Sequence, residues 1–205
     1  MPEIISAVIT IAIVIFSIVL HEVSHGYAAN ALGDPTARLQ GRLTLNPLSH
    51  LDLVGSILVP AITWFSGGFI FGWAKPVPYN PYNLKAGRFS EALVAAAGPA
   101  TNILLALIFG LLIRLGGTNI PDGLFSVALI VVVANIALAV FNLIPAPPLD
   151  GSKILASLLP FSSAQKLRAL ERYGFIFVLI IILVAWRFIT PVIGYLFTLL
   201  TGVTF

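Results

Sequence analysis

Two histidines four residues apart, His21 and His25, frame a glutamate in the run His21-Glu22-Val23-Ser24-His25. On a helix, residues at i and i+4 share a face, so both imidazoles can reach one metal ion. Glu22 stands about a hundred degrees further round, near enough to act on a water at that metal without ligating it. Zinc brings a bound water's pKa towards about 7, and a neighbouring carboxylate can take the proton as the water attacks a carbonyl. Two of the chain's three histidines fall in this cluster, and cysteine is absent. The lack of thiols excludes disulfides and restricts any metal site to His, Asp and Glu ligands.

A catalytic zinc takes three protein ligands and keeps its fourth position for water. Two residues compete for the third place: Asp150, in Leu149-Asp150-Gly151, and His50, in the polar run Asn46-Pro47-Leu48-Ser49-His50-Leu51-Asp52. Glu91 reads instead as a first-turn helix charge, favourable near the N-terminal dipole. Choosing between Asp150 and His50 requires the elements that carry them.

Of the 205 residues, 59% are hydrophobic and 9% charged, against about 25% charged in soluble domains. The apolar residues come in long runs, which excludes a soluble fold of this size and predicts an all-α, multi-pass membrane protein. The net charge of +3 arises from few charges and includes no basic run, so a nucleic-acid partner is not expected. The first segment, 4–32, is apolar up to Leu20 and stops at Gly33-Asp34-Pro35. It lacks a basic leader and an A-x-A site, which predicts a retained transmembrane helix and not a removable signal peptide.

The region 36–91 alternates in strand-like fashion from Ala37 to Leu45, then turns apolar at Leu53–Trp73, broken by Pro60 and Gly67-Gly68. It predicts a membrane-associated β hairpin or re-entrant segment. Helices are expected over 92–113 and 124–144, each long enough for about 30 Å of hydrocarbon. The apolar stretch 174–205, interrupted by Arg187 and Pro191, is one kinked span or a span plus a second piece. The count is about four transmembrane helices, with five or six hydrophobic segments as the upper number, in a single domain over 1–205.

Charge placement orders these segments. If Leu53–Trp73 enters and leaves on one side, Arg38, Arg42, Lys75, Lys85, Arg88, Lys153, Lys166, Arg168 and Arg172 share a face, nine of the eleven basic residues. The positive-inside rule assigns that face to the cytoplasm. The same topology brings His21 and Asp150 to one side of the membrane, whereas a crossing segment would part them. Asp150 is therefore favoured over His50 as third ligand. The prolines at 145, 147 and 148 end the preceding helix and leave backbone carbonyls with which an unwound peptide could pair. Asn102 and Asn135 read as interhelical hydrogen-bonding groups.

His21-Glu22-x-x-His25, Ala97-Gly98-Pro99-x-x-Asn102 and Asn142-x-x-Pro145-x-Pro147-x-Leu149-Asp150-Gly151 together resemble the site-2 protease family of intramembrane metalloproteases. The intervening Gly41-Arg42-Leu43-Thr44-Leu45-Asn46-Pro47 and Gly72-Trp73-Ala74-Lys75-Pro76-Val77-Pro78 look like its compact prokaryotic branch, which lacks PDZ and CBS domains. The resemblance implies one zinc ion per chain, held by His21, His25 and Asp150, with Glu22 as catalytic base. It implies a multi-pass protein of a prokaryotic plasma membrane that cleaves membrane-anchored protein substrates near the cytoplasmic face, releasing regulators or clearing signal-peptide remnants. Asn142, and with it Asn102, become candidates for positioning substrate. Two rival readings carry different expectations. A zinc transporter needs further polar residues at mid-membrane, of which there are few, and gives Glu22 no task. A catalytically inactive helix-binding regulator predicts loss of a key residue, yet all four are present.

Overall fold

The computed structural model describes residues 3–59, 62, 72–85, 87–181 and 186–205. Its described residues are mostly helical. Helix α1 (Glu3–Ala31) is followed by the single turn α2 (Thr36–Leu39) and by α3 (Ser90–Gly116) and α4 (Asp122–Asn142). Two short helices, α5 (Asp150–Leu158) and α6 (Phe161–Ala169), precede α7 (Gly174–Ile180) and α8 (Trp186–Thr201). Helices α1, α3 and α4 are long and apolar enough to cross a membrane. At 1.5 Å per residue the 29-residue α1 is roughly 43 Å long. The expected helices at 4–32, 92–113 and 124–144 are all present, with ends shifted by one to three residues. In 174–205 the junction between α7 and α8 falls at 182–185, outside the described residues.

Burial follows the logic of a bilayer. Ile4, Val8 and Ile11 on α1 and Ile103, Leu104 and Ile108 on α3 are exposed, while Ser17, Asn102 and Asn135 are buried. Apolar side chains gain nothing by leaving lipid, so helix association rests on close packing and interhelical hydrogen bonds. The apolar core lies where α3, α4 and α8 meet, around Ala106, Val132, Ile136, Ile189 and Phe197.

The strand-like alternation over 37–45 does not form a strand. Among the described residues no strand is present. Asp34 accepts from the backbone N–H and hydroxyl of Thr36, starting the turn α2. Gly41, at φ +65°, ends it. There Gly41 N–H donates to Arg38 and Arg42 N–H to Ala37, the Schellman pattern that a left-handed glycine permits. The same device ends α1: Gly33 has φ +106°, Gly33 N–H meets Asn30 O and Asp34 N–H meets Ala29 O. Local capping thus overrode the period-two pattern. The expected re-entrant segment falls largely on 60–61 and 63–71, outside the described residues; Leu53–Leu58 forms a π-helical turn capped by Asp52.

Two features place α5. Arg88, just before α3, donates to the carbonyls of Ser157 and Leu159 at 2.8 and 2.7 Å, capping the C-terminal end of α5. At the other end a Cβ on Gly151 would meet Leu143 O at 2.3 Å and Ile144 O at 2.5 Å. Only glycine lets the first turn of α5 sit so close to the backbone that leaves α4.

Candidate metal centre

His21 and His25 lie one turn apart on α1, and Asp150 opens α5; all three are buried. Their ligand atoms converge. His21 Nε2 and His25 Nε2 are 3.0 Å apart, and Asp150 Oδ2 is 3.2 Å from each. Tetrahedral zinc with ligands at 2.0–2.1 Å would need edges of about 3.3 Å, close to those of this triangle.

Which nitrogen carries the proton follows from partners that can only accept. His25 Nδ1 lies 2.7 Å from the Val94 carbonyl, so Nδ1 holds the proton and Nε2 a lone pair. His21 Nδ1 lies 2.6 Å from Asn102 Oδ1 and is read in the same way. Neither Nε2 then has a hydrogen to give Asp150, and its Oδ2 is buried without a hydrogen-bond donor. Three electron-rich atoms facing one another in a buried site repel unless a cation sits among them. The donor set therefore fits zinc.

Helix α3 forms the back wall. Val94, Gly98 and Asn102 recur every four residues and so share one stripe. Val94 and Asn102 hold the two imidazoles, and Gly98 passes between them. A Cβ at Gly98 would meet His25 Nε2 at 2.5 Å and His21 Nε2 at 2.6 Å. Glycine is required there by this approach, not by its backbone angles.

Glu22 is half-buried and lines a cavity of about 400 Å³ together with His21, Trp73, Phe141, Asn142 and Val178. Its Oε2 accepts from the backbone N–H of Val77 at 2.9 Å. Asn142 uses Nδ2 to donate to Leu138 O on its own helix, while its side chain borders the cavity. Asn102, read from the sequence as a second substrate-positioning residue, is wholly buried behind His21. His50 stands apart from the cluster, its Nε2 bonded to Thr44 O at 2.9 Å. Among the described residues, His21, His25 and Asp150 form the group able to hold a metal ion. Sequence reasoning missed the roles of Val94, Gly98 and Val77, of which two act through the backbone. The four-residue spacing of Val94, Gly98 and Asn102 was the available signal.

The sequence pattern described as "Peptidase family M50" matches residues 117–185. The chain is 39% identical over 188 residues to "Putative zinc metalloprotease YwhC" of Bacillus subtilis, covering 88% of this chain and 80% of that protein. It is 28% identical to "Putative zinc metalloprotease Rip2" of Mycolicibacterium smegmatis, over 86% of this chain and 67% of the relative. A shorter similarity, 37% identity over 104 residues, links it to "Putative zinc metalloprotease MJ0611" of Methanocaldococcus jannaschii, covering 45% and 52% of the two chains. No solved structure matches it significantly.

Proposed function

The chain belongs to peptidase family M50, the site-2 proteases, and is a zinc metalloendopeptidase with long apolar helices; from that premise we propose that it hydrolyses peptide bonds in or near the transmembrane helices of membrane-anchored proteins. The observation that carries this reading is the convergence of two imidazole lone pairs and a buried carboxylate beside Glu22, on the wall of a cavity between apolar helices.

His21, His25 and Asp150 would hold one zinc ion, which when bound polarises the scissile carbonyl and acidifies water. Glu22 is the general base. Its Oε2 is held by Val77 N–H, which leaves Oε1 to take the proton from the attacking water and return it to the departing amide nitrogen. Asn142, on the cavity wall, hydrogen-bonds the substrate backbone or the oxygen that gains charge. Phe141, Leu138 and Val178 make the cavity apolar, which suits a segment drawn from a membrane helix.

A helical substrate has its amides committed to itself, so it must unwind locally before water reaches a carbonyl. Helices carrying Gly, Asn or Pro near the cut are preferred for that reason. The protein is a single domain with about four spans in a prokaryotic plasma membrane. Nine of its eleven basic residues fall on the face assigned to the cytoplasm, near which the site lies. A transporter would need free polar groups along a path, whereas Ser17, Asn102 and Asn135 are bonded to one another.

Zinc per chain in the detergent-purified protein, measured for wild type and Asp150→Ala, tests the site. One zinc in wild type, largely lost in the variant, is expected. A folded wild type without zinc, or zinc retained without Asp150, would overturn the ligand set. Cleavage of a poly-Leu helix as fast as one containing Gly or Asn would overturn the unwinding requirement.

A further inference from the structure

Behind His21 a chain of side-chain amides runs through three helices. Asn135 on α4 donates through Nδ2 to the Val131 carbonyl and to Ser17 Oγ, each at 2.9 Å. Its Oδ1 accepts from Asn102 Nδ2 on α3 at 2.8 Å. Asn102 Nδ2 also points at the Ser17 carbonyl, at 3.5 Å, and Asn102 Oδ1 faces His21 Nδ1 at 2.6 Å. Asn102 and Asn135 have no exposed surface, and Ser17 is 4% exposed.

Amide orientation is ordinarily ambiguous, because oxygen and nitrogen look alike. Here backbone carbonyls, which only accept, remove the ambiguity. Val131 O demands an N–H, so the NH₂ end of Asn135 faces it and the oxygen end faces Asn102. Asn102 must then present its own NH₂ to Asn135 and to Ser17 O, leaving its oxygen for His21. An oxygen at that place accepts a proton from Nδ1 and excludes the tautomer protonated at Nε2. Turning either amide over would set two acceptors against each other in a fully buried site.

We propose that Asn135 is a positioning residue that sets the tautomer of His21: through Asn102 it keeps Nε2 unprotonated and aimed at Asp150. The inference rests on the zinc-site reading for its consequence, but the tautomer itself is a property of the zinc-free protein. His25 needs no such relay, since Val94 O fixes it directly. The asymmetry has a structural cause. His21 lies a turn earlier on α1, where α3 faces it with the side chain of Asn102 in place of a backbone carbonyl. That side chain is two-faced and must be held by a further partner.

The test uses full-length protein in detergent, as wild type, Asn135→Leu and Asn135→Ser. The serine side chain of Asn135→Ser can bond its own helix at Val131 O but is too short to reach Asn102, so it keeps α4 satisfied while cutting the relay. Ring ¹⁵N chemical shifts report the His21 tautomer without zinc, and chelator competition reports the zinc dissociation constant. Wild type should show His21 protonated at Nδ1 alone. Both variants should lose that single tautomer and bind zinc about 10- to 100-fold more weakly, the range for removing an outer partner of a metal-bound histidine. A purely structural role would lower melting temperature but leave affinity and tautomer unchanged. Unchanged affinity in a folded variant, or wild-type His21 protonated at Nε2, would overturn the proposal, and the second result needs no variant to fold. Wild type that binds no zinc yet keeps the Nδ1 tautomer would defeat the zinc-site reading and leave the relay standing.

Discussion

The backbone N–H of Val77 donates to Glu22 Oε2 at 2.9 Å, although the two residues lie 55 positions apart. Val77 belongs to a strap without helix or strand, residues 73–80, whose Asn80 N–H bonds Asp34 just past the end of α1 at 2.7 Å. Lys75 N–H bonds His50 O at 2.8 Å, and Arg42 Nη2 reaches the carbonyls of Lys75 and Pro76 at 3.0 and 3.3 Å. Gly26 leaves room for the Val77 side chain, since a Cβ there would come within 2.7 Å of it. Arg42 therefore holds the peptide that holds Glu22. Arg42→Ala is expected to lower kcat by roughly ten- to a hundredfold, with zinc content unchanged and Arg42→Lys partly restoring the rate. A wild-type kcat for Arg42→Ala would show that the strap keeps its place without the clamp.

Glu22→Gln tests the proposed base apart from the proposed ligands. Glutamine can still accept from Val77 N–H through its oxygen but cannot take a proton. Zinc should stay at the wild-type level while cleavage falls by about 10²- to 10⁴-fold, the usual contribution of a positioned base. Residual activity within a few-fold of wild type would remove Glu22 from that role.

Gly98→Ala puts a methyl group where both Nε2 atoms converge. The imidazoles are fixed from behind by Val94 and Asn102 and have little room to retreat. Zinc per chain should fall well below that of wild type while the protein stays folded by circular dichroism. Full zinc occupancy would mean that α3 can shift away from α1.

Asp34 should make stability depend on acid. The residue is wholly buried at the end of α1. Burial alone would push its carboxyl up, but donors from Thr36, Asn83 and Asn80 outweigh it and hold the group below its ordinary 3.8. A lowered folded value means stability that is present in full above that ordinary value and is lost as pH falls through the folded one. The melting temperature of wild type should therefore fall more steeply below about pH 4 than that of Asp34→Ala. Parallel curves would assign the acid dependence to other groups.

Much of the candidate site was legible because it is built from rare residues at fixed spacings. The motif at residues 21–25 needs only helix periodicity, and Asp150 followed from the expected topology. The long helices were legible because apolar runs of that length have few alternatives. The turn at Thr36–Leu39 was not, because Asp34 and Gly41 decide it through hydrogen bonds that a period count ignores. Nor were the contacts of Val77 and Val94, since a backbone N–H or carbonyl has no residue type to read. Asn135 was noticed as an interhelical group, but its partner Asn102 and the distance from there to His21 required coordinates.

The amide chain from Val131 to His21 also limits how the molecule can move. Hydrocarbon offers no water to replace a broken interhelical bond, so the bonds among Ser17, Asn102 and Asn135 tie α1, α3 and α4 together beside His21. Under the proposed function, a substrate helix needs a way to the cavity. The side bordered by Trp73, Pro148 and Val178 lies outside that tie. The buried amides thus fasten the three long helices to one another, and the apolar wall opposite takes no part in that fastening.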